Sequence, residues 1–331
     1  MRVAVGVPTA HHARHFRYSA RALLESRTTD IIWCEGDKPW SDEEKAARLA
    51  DVDVFITGWG DSGLSPEVIA AAGNLKIVGV LGGSVAPYSP EALFERRIHL
   101  VHTARAIGVT VAEYALAAIL ALSHNLFYVA DVARRGEWHA APAWKPFNLY
   151  GKTVSLIGCG AIGRHLLKLM SGFEVRAIIY DPFLSDYEIE SLGAERASLQ
   201  HALTKGHVVT IHAGATAENR GMIGAEELAL VSDGAVLVNT ARASIFNEEA
   251  LADKLREGKI RALLDVFQHE PLPADSPLRG LLNVVLTPHY AGLSEDTLER
   301  MGLDVVRDVI AFFDGRPTSH PVTPAMVKRM T

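Results

Sequence analysis

Arg242, Glu270 and His289 stand in three short contexts in the last third of this 331-residue chain. Arg242 follows Asn239-Thr240-Ala241 at the end of an apolar run. Glu270 closes the stretch Asp265-Val266-Phe267-Gln268-His269-Glu270 before Pro271. His289 sits in Thr287-Pro288-His289-Tyr290-Ala291-Gly292. Taken singly, each has an ordinary reading: a solvated arginine, a turn glutamate, a histidine capping a loop. Taken together they offer a permanent cation, a carboxylate and an imidazole that titrates near neutrality. Those three groups can hold an anionic substrate and carry a proton.

Upstream lies a second chemical signal, Gly158-Cys159-Gly160-Ala161-Ile162-Gly163, directly after the apolar run Thr153–Ile157 and opening a helical pattern. Gly158 allows a tight turn, Gly160 a close approach of a pyrophosphate, and Gly163 close helix–strand packing. The N–H groups of Ala161 and Ile162 at the start of that helix would face the phosphates. Asp181 ends the next apolar run, 18 residues past Gly163, near the spacing of a ribose-binding acid. A carboxylate there accepts from ribose hydroxyls and repels a 2′-phosphate, so NAD(H) is expected over NADP(H). The ordinary alternatives are a simple tight turn or the glycine loop of a methyltransferase.

In this order the motifs resemble those of the D-isomer-specific 2-hydroxyacid dehydrogenases, of the glyoxylate/hydroxypyruvate reductase or short phosphoglycerate dehydrogenase kind. That family carries N-T-A-R, D-V-F-x-x-E-P and T-P-H-x-A-G signatures, and all three are present. The resemblance is strong from Gly151 to Gly292 and a matter of layout over residues 1–100. It implies hydride exchange between NAD(H) and a small 2-keto or 2-hydroxy acid. Arg242 would anchor the substrate carboxylate, His289 would carry the proton, and Glu270 would pair with His289 and fix its tautomer. Thr240, Ala241 and Asp265 would join the cofactor contacts. Gly83 and Ser84 would hold the carboxylate through backbone N–H groups. Two rivals share the fold: a formate dehydrogenase, whose relatives carry Gln where Glu270 stands, and an NAD-sensing corepressor-like protein. The net acidity speaks against the second.

Several positions depart from the family. Ala243 replaces the usual Gly after the arginine, and Asn247 replaces an Asp expected to cap a helix. The loop Leu81–Ser89 lacks the family's Asp-Asn pair. Arg105 and Ile107 stand where relatives often have Gly and Asn. Arg105 is expected either to select substrate or to be a solvated helix-start residue. Trp59, in Thr57-Gly58-Trp59-Gly60, is expected either beside the substrate or in the core. His11, His12 and His15 lack a carboxylate or cysteine companion, so no metal is expected.

These groups need elements to position them. Short apolar runs at Val3–Val7, Ile31–Cys34, Val54–Thr57 and Ile77–Leu81 alternate with helical patterns at Phe16–Ser26, Ser41–Leu49 and Ser65–Ala72. A second series from Gly151 holds six strand candidates, ending at Val284–Leu286. Strands alternating with helices imply parallel sheets. The expected fold is α/β, two Rossmann-like doubly wound parallel-sheet domains with a cleft between them. The resemblance implies a discontinuous substrate domain, residues 1–102 plus 294–331, and an NAD-binding domain over 103–293. It also implies a homodimer joined through the NAD-binding domains, with the apolar helix Val111–Leu122 suited to such a core. The stretch from Arg134 through the prolines after Trp138 is read as a connector.

Composition agrees with a soluble globular protein: 48% hydrophobic, 22% charged, formal charge -6. The acidity gives no electrostatic footprint for nucleic acid. No apolar stretch is expected to reach the roughly 18 residues that span a bilayer. Cys34 and Cys159 alone, far apart, fit a reducing, cytoplasmic setting without disulfides.

Overall fold

In the computed structural model, residues 1–138 and 144–328 are described, and the chain divides into two compact units. Met1–Ile107 with Leu293–Thr331 form the first, and Gly108–Gly292 the second. Residues 139–143 of the expected connector, Pro142 among them, lie outside the described residues. Arg134 ends a helix, Leu126–Arg134, and Arg135 pairs with Asp131 at 2.5 Å.

The first unit is built on five parallel strands: β1 (Val3–Val5), β2 (Ile31–Trp33), β3 (Val54–Gly58), β4 (Ile77–Leu81) and β5 (His99–His102). Their order is β2-β1-β3-β4-β5, a doubly wound order with its reversal at β1/β3. β1, β3 and β4 are buried at every residue, as strands covered on both faces must be. β5 is not among the expected strands, because two of its four residues are histidines. Ser41 caps the helix Asp42–Leu49 in a complete capping box with Glu44, and Ser65 caps Pro66–Ala71. The expected helix over Phe16–Ser26 is instead two, Thr9–His15 and Ser19–Glu25.

The second unit carries seven parallel strands: β6 (Thr153–Ile157), β7 (Arg176–Tyr180), β8 (Glu195–Arg196), β9 (Val208–Ile211), β10 (Val236–Asn239), β11 (Arg261–Leu264) and β12 (Val284–Leu286). Their order is β12-β11-β10-β9-β6-β7-β8. This is the dinucleotide-binding order extended by one strand, with the reversal between β6 and β9. The strand missing from the sequence reading is β8, two exposed residues at the sheet edge, too short and polar to carry a period.

One expectation is corrected. A helix long and apolar enough to span a bilayer does exist, Ala104–Ser123. It begins seven residues before the expected Val111 start, which takes it past the length threshold. Its Ala112, Ala115 and Ile119 are fully buried in the second unit's own core, with Leu156, Leu166 and Val238. Its apolar character is accounted for by that packing.

Candidate functional site

The glycine loop follows β6, and a ten-residue helix, Ala161–Met170, starts after it. Gly158 has φ +84°, and a Cβ there would lie 2.5 Å from the Ala213 backbone nitrogen. Only glycine fits that turn. A Cβ on Gly160 would meet nothing within 4 Å, so the loop surface is open where a ligand would approach. At Gly163 a Cβ would press on Cys159 Sγ at 3.2 Å, the close packing expected of the third glycine. No side chain caps this helix, which leaves its first N–H groups available to an anion.

Asp181 follows β7 and is buried. Its carboxylate accepts from the Cys159 N–H at 2.8 Å and the Phe183 N–H at 2.9 Å. It is thereby fixed against the glycine loop with acceptor capacity to spare. Cys159 is itself buried, and burial pushes its thiol up to about 12. Two polar atoms end the neighbouring strands without a hydrogen bond: His212 Nδ1 after β9 and Thr240 Oγ1 after β10. Burial lowers His212 to about 4, so it stays neutral. Open glycine surface, uncapped helix, anchored acid and orphaned polar atoms all lie at the carboxyl ends of the strands. These features fit a dinucleotide.

Arg242, Glu270 and His289 line one concavity of about 330 Å³ in the second unit. Ser244, Phe267 and Gln268 complete much of its wall. His289 Nδ1 and Glu270 Oε2 are 2.7 Å apart. Glu270 Oε1 accepts from the Phe267 N–H at 3.0 Å, so both carboxylate oxygens are placed. The Arg242 guanidinium donates from Nη1 to the Ala241 carbonyl at 2.7 Å and has no ion pair among the described residues. Burial lowers its pKa, partly opposed by the nearby Glu270 carboxylate. It remains a cation at any working pH.

His289 adopts φ +53°, a left-handed conformation uncommon for a residue with a Cβ. The loop that imposes it is tied down by Asp265. The Asp265 carbonyl accepts the His289 N–H at 2.8 Å. The Asp265 carboxylate takes the Thr287 hydroxyl at 2.6 Å and the N–H groups of Tyr290 and Ala291 at 2.8 and 2.9 Å. The resemblance places Asp265 among the cofactor contacts. Its side chain is buried and engaged, so within this unit it holds the loop that carries His289. Ala243 has no positive φ and opens a short 3-10 turn, Ala243–Ile245, which explains why glycine is dispensable there. Asn247 Oδ1 caps the helix Glu248–Arg256 through the Ala250 N–H at 3.0 Å.

The remaining expected residues lie in the first unit. Gly83 and Ser84 follow β4, both are half-buried, and among the described residues their N–H groups have no hydrogen-bond partner. Thr103 supports this loop, its hydroxyl accepting from the Gly82 N–H at 3.0 Å. Thr103 does not stand out in the sequence because its neighbours depart from the family pattern. Trp59 is 36% exposed, with its indole Nε1 3.7 Å from the place a Gly82 Cβ would occupy. Arg105 is exposed on the first turn of the helix that begins at Ala104.

Strand order, glycine loop and anchored acid define an NAD-binding unit of a dehydrogenase. Residues 116–291 match the D-isomer specific 2-hydroxyacid dehydrogenase NAD binding domain. The chain is 32% identical over 301 residues to a glyoxylate reductase of Korarchaeum cryptofilum, covering 87% of this chain and 90% of that one. It is 36% identical over 269 residues to a D-3-phosphoglycerate dehydrogenase of Methanocaldococcus jannaschii, covering 81% of this chain. Of that longer relative it spans about half the length, 51%. The crystal structure of the TT0316 protein from Thermus thermophilus superposes with a TM-score of 0.81 at 30% identity, covering 98% and 100% of the two chains. The chain belongs to the D-isomer specific 2-hydroxyacid dehydrogenase family.

Proposed function

We propose that this chain is an NAD(H)-dependent oxidoreductase interconverting a small 2-keto acid and its D-2-hydroxy acid. The observation that carries the reading is the His289–Glu270 contact of 2.7 Å in the concavity that also holds Arg242. The nicotinamide, when bound, supplies or receives the hydride. Arg242 binds the substrate carboxylate through its free guanidinium edge and polarises the keto oxygen. His289 gives its Nε2 proton to that oxygen during reduction and takes it back from the hydroxyl during oxidation. Glu270, on Nδ1, leaves Nε2 as the proton-carrying nitrogen. The Gly83 and Ser84 N–H groups are further donors for the carboxylate.

The glycine loop with Ala161 and Ile162 would hold the pyrophosphate, and Asp181 the adenosine ribose. Its carboxylate supports NAD(H) over NADP(H). The partners proposed are the small acid and a second copy of the chain, joined through the NAD-binding unit, where Leu126, Phe127 and Leu282 are exposed. A panel of glyoxylate, hydroxypyruvate, 3-phosphohydroxypyruvate and pyruvate, scored by kcat/KM with NADH and with NADPH, tests the reading. NADH-dependent reduction of at least one is expected. Turnover of none, or equal use of NADPH, would contradict the corresponding part.

A further inference from the structure

A second ring of contacts surrounds the turn that carries Asp181. This turn runs from the end of β7 to Ser185, which caps the short helix Asp186–Ser191 in a capping box with Glu188. The Asp181 carboxylate is held at two points, the Cys159 N–H of the glycine loop and the Phe183 N–H of the turn itself. The second of these lasts only while the turn keeps its shape. Arg196 keeps it. Its Nη1 donates to the Asp181 carbonyl at 3.2 Å and its Nη2 to the Leu184 carbonyl. Neither carbonyl accepts a backbone N–H among the described residues. One guanidinium therefore spans the turn from Asp181 to Leu184.

Arg196 can do this because its own backbone is fixed. It ends β8, with Ile179 of β7 as its register partner. The next N–H, of Ala197, donates to the Ile179 carbonyl at 2.8 Å. The Arg196 Nε donates to the Asp186 carboxylate. Both side chains of that pair are exposed, 38% and 75%, so the pair itself adds little stability. What the planar fork supplies is a fixed separation between two donors, which a lysine lacks. Arg164, on the first turn of the glycine-loop helix, likewise faces an acid, Glu188, at 3.5 Å. Two cations are thus paired with acids of one short helix, and neither is left unpaired for a 2′-phosphate.

We propose that Arg196 is a positioning residue for cofactor choice: by bridging the Asp181 and Leu184 carbonyls it aims the Asp181 carboxylate at the adenosine ribose and so sets the preference for NADH over NADPH. This rests on the reading above, in which Asp181 takes the ribose hydroxyls. With the bridge gone the turn relaxes, the Phe183 N–H leaves the carboxylate, and the acid swings on the Cys159 N–H alone. NADH then loses an aligned acceptor, while NADPH loses part of the repulsion that opposed its 2′-phosphate.

The test is fluorescence titration of NADH and of NADPH into the wild type, Arg196→Ala and Arg196→Lys, with thermal melting as a check of the fold. Arg196→Ala should raise Kd for NADH about tenfold and Kd for NADPH less than about threefold, so that the preference narrows by about threefold or more. Arg196→Lys keeps the charge and loses the fork, and should recover less than about half of that change. Selective weakening of NADPH in Arg196→Ala would mean that Arg196 reads the 2′-phosphate itself, and it overturns the inference. So does an equal effect on both cofactors, no effect included, or full recovery with lysine. Each of these leaves the Asp181 reading standing where the wild type prefers NADH. A wild type that binds the two cofactors equally overturns both.

Discussion

Asp265 holds His289 and the two residues that follow it. The Asp265 carbonyl takes the His289 N–H at 2.8 Å, while its carboxylate gathers the next two backbone N–H groups, of Tyr290 and Ala291. The left-handed backbone of His289 is a consequence of this clamp, and it turns the imidazole to Glu270.

Asp265→Asn keeps the shape of the side chain but removes an acceptor from a buried group with three donors. A stability loss of about 1–3 kcal/mol is expected from the donor left without a partner. Denaturant unfolding measures it. Turnover should fall by more than the unfolded fraction explains, because His289 loses its fixed backbone.

Glu270→Gln retains an oxygen for the Phe267 N–H and removes the anion from His289. We expect kcat to fall roughly 10–100-fold, with KM for the keto acid changing far less. Steady-state kinetics at saturating NADH separate the two parameters. A matching rise in KM would place Glu270 in substrate binding instead.

Gly158→Ala tests the dinucleotide loop. The residue sits at φ +84° with the Ala213 backbone where a methyl would go. The variant should melt at lower temperature and, where folded, bind NADH about tenfold or more weakly, since the loop must shift to admit the methyl. Thermal melting and NADH fluorescence titration are the two readouts.

Much of this site is legible without any coordinates. The glycine spacing, the three signature contexts and the Ser41 and Ser65 caps are local patterns, and local patterns survive in a single sequence. What is not legible is long-range. Asp265 reads as a cofactor contact from its signature, and only the return of residues 287–291 shows the loop its carboxylate holds. Lys45 and Asp61 are 16 positions apart, in a helix and a loop, and nothing in their spacing announces a buried pair. β8 and β5 escape because exposed and histidine-rich strands lack a hydrophobic period. The start of the long helix is hidden as well, since Thr103 and Arg105 disguise its first turn.

Acid should destabilise the fold through two histidines. His15, whose Nδ1 lies 3.0 Å from the Leu298 carbonyl, and His212 are both lowered from 6.5 to about 4 by burial. Each is neutral when folded and takes a proton when unfolded. Their contribution is therefore complete above pH 6.5 and is lost as pH falls toward 4, by up to about 3 kcal/mol each. Melting temperature followed from pH 7 to pH 4 should drop across that window. His15→Asn should flatten part of the drop, and a Tm independent of pH over that range would contradict the buried neutral state.

The most direct measurement pairs turnover with cofactor binding in His289→Ala. NADH oxidation driven by the best 2-keto acid should fall by about 10²–10⁴-fold, while NADH binding, read by fluorescence titration, stays within about threefold of wild type. Such a split would place His289 on the proton and leave the dinucleotide to the glycine loop and Asp181. Turnover close to wild type in the folded variant would contradict the assignment of His289 as the proton carrier and, with it, the proposed chemistry.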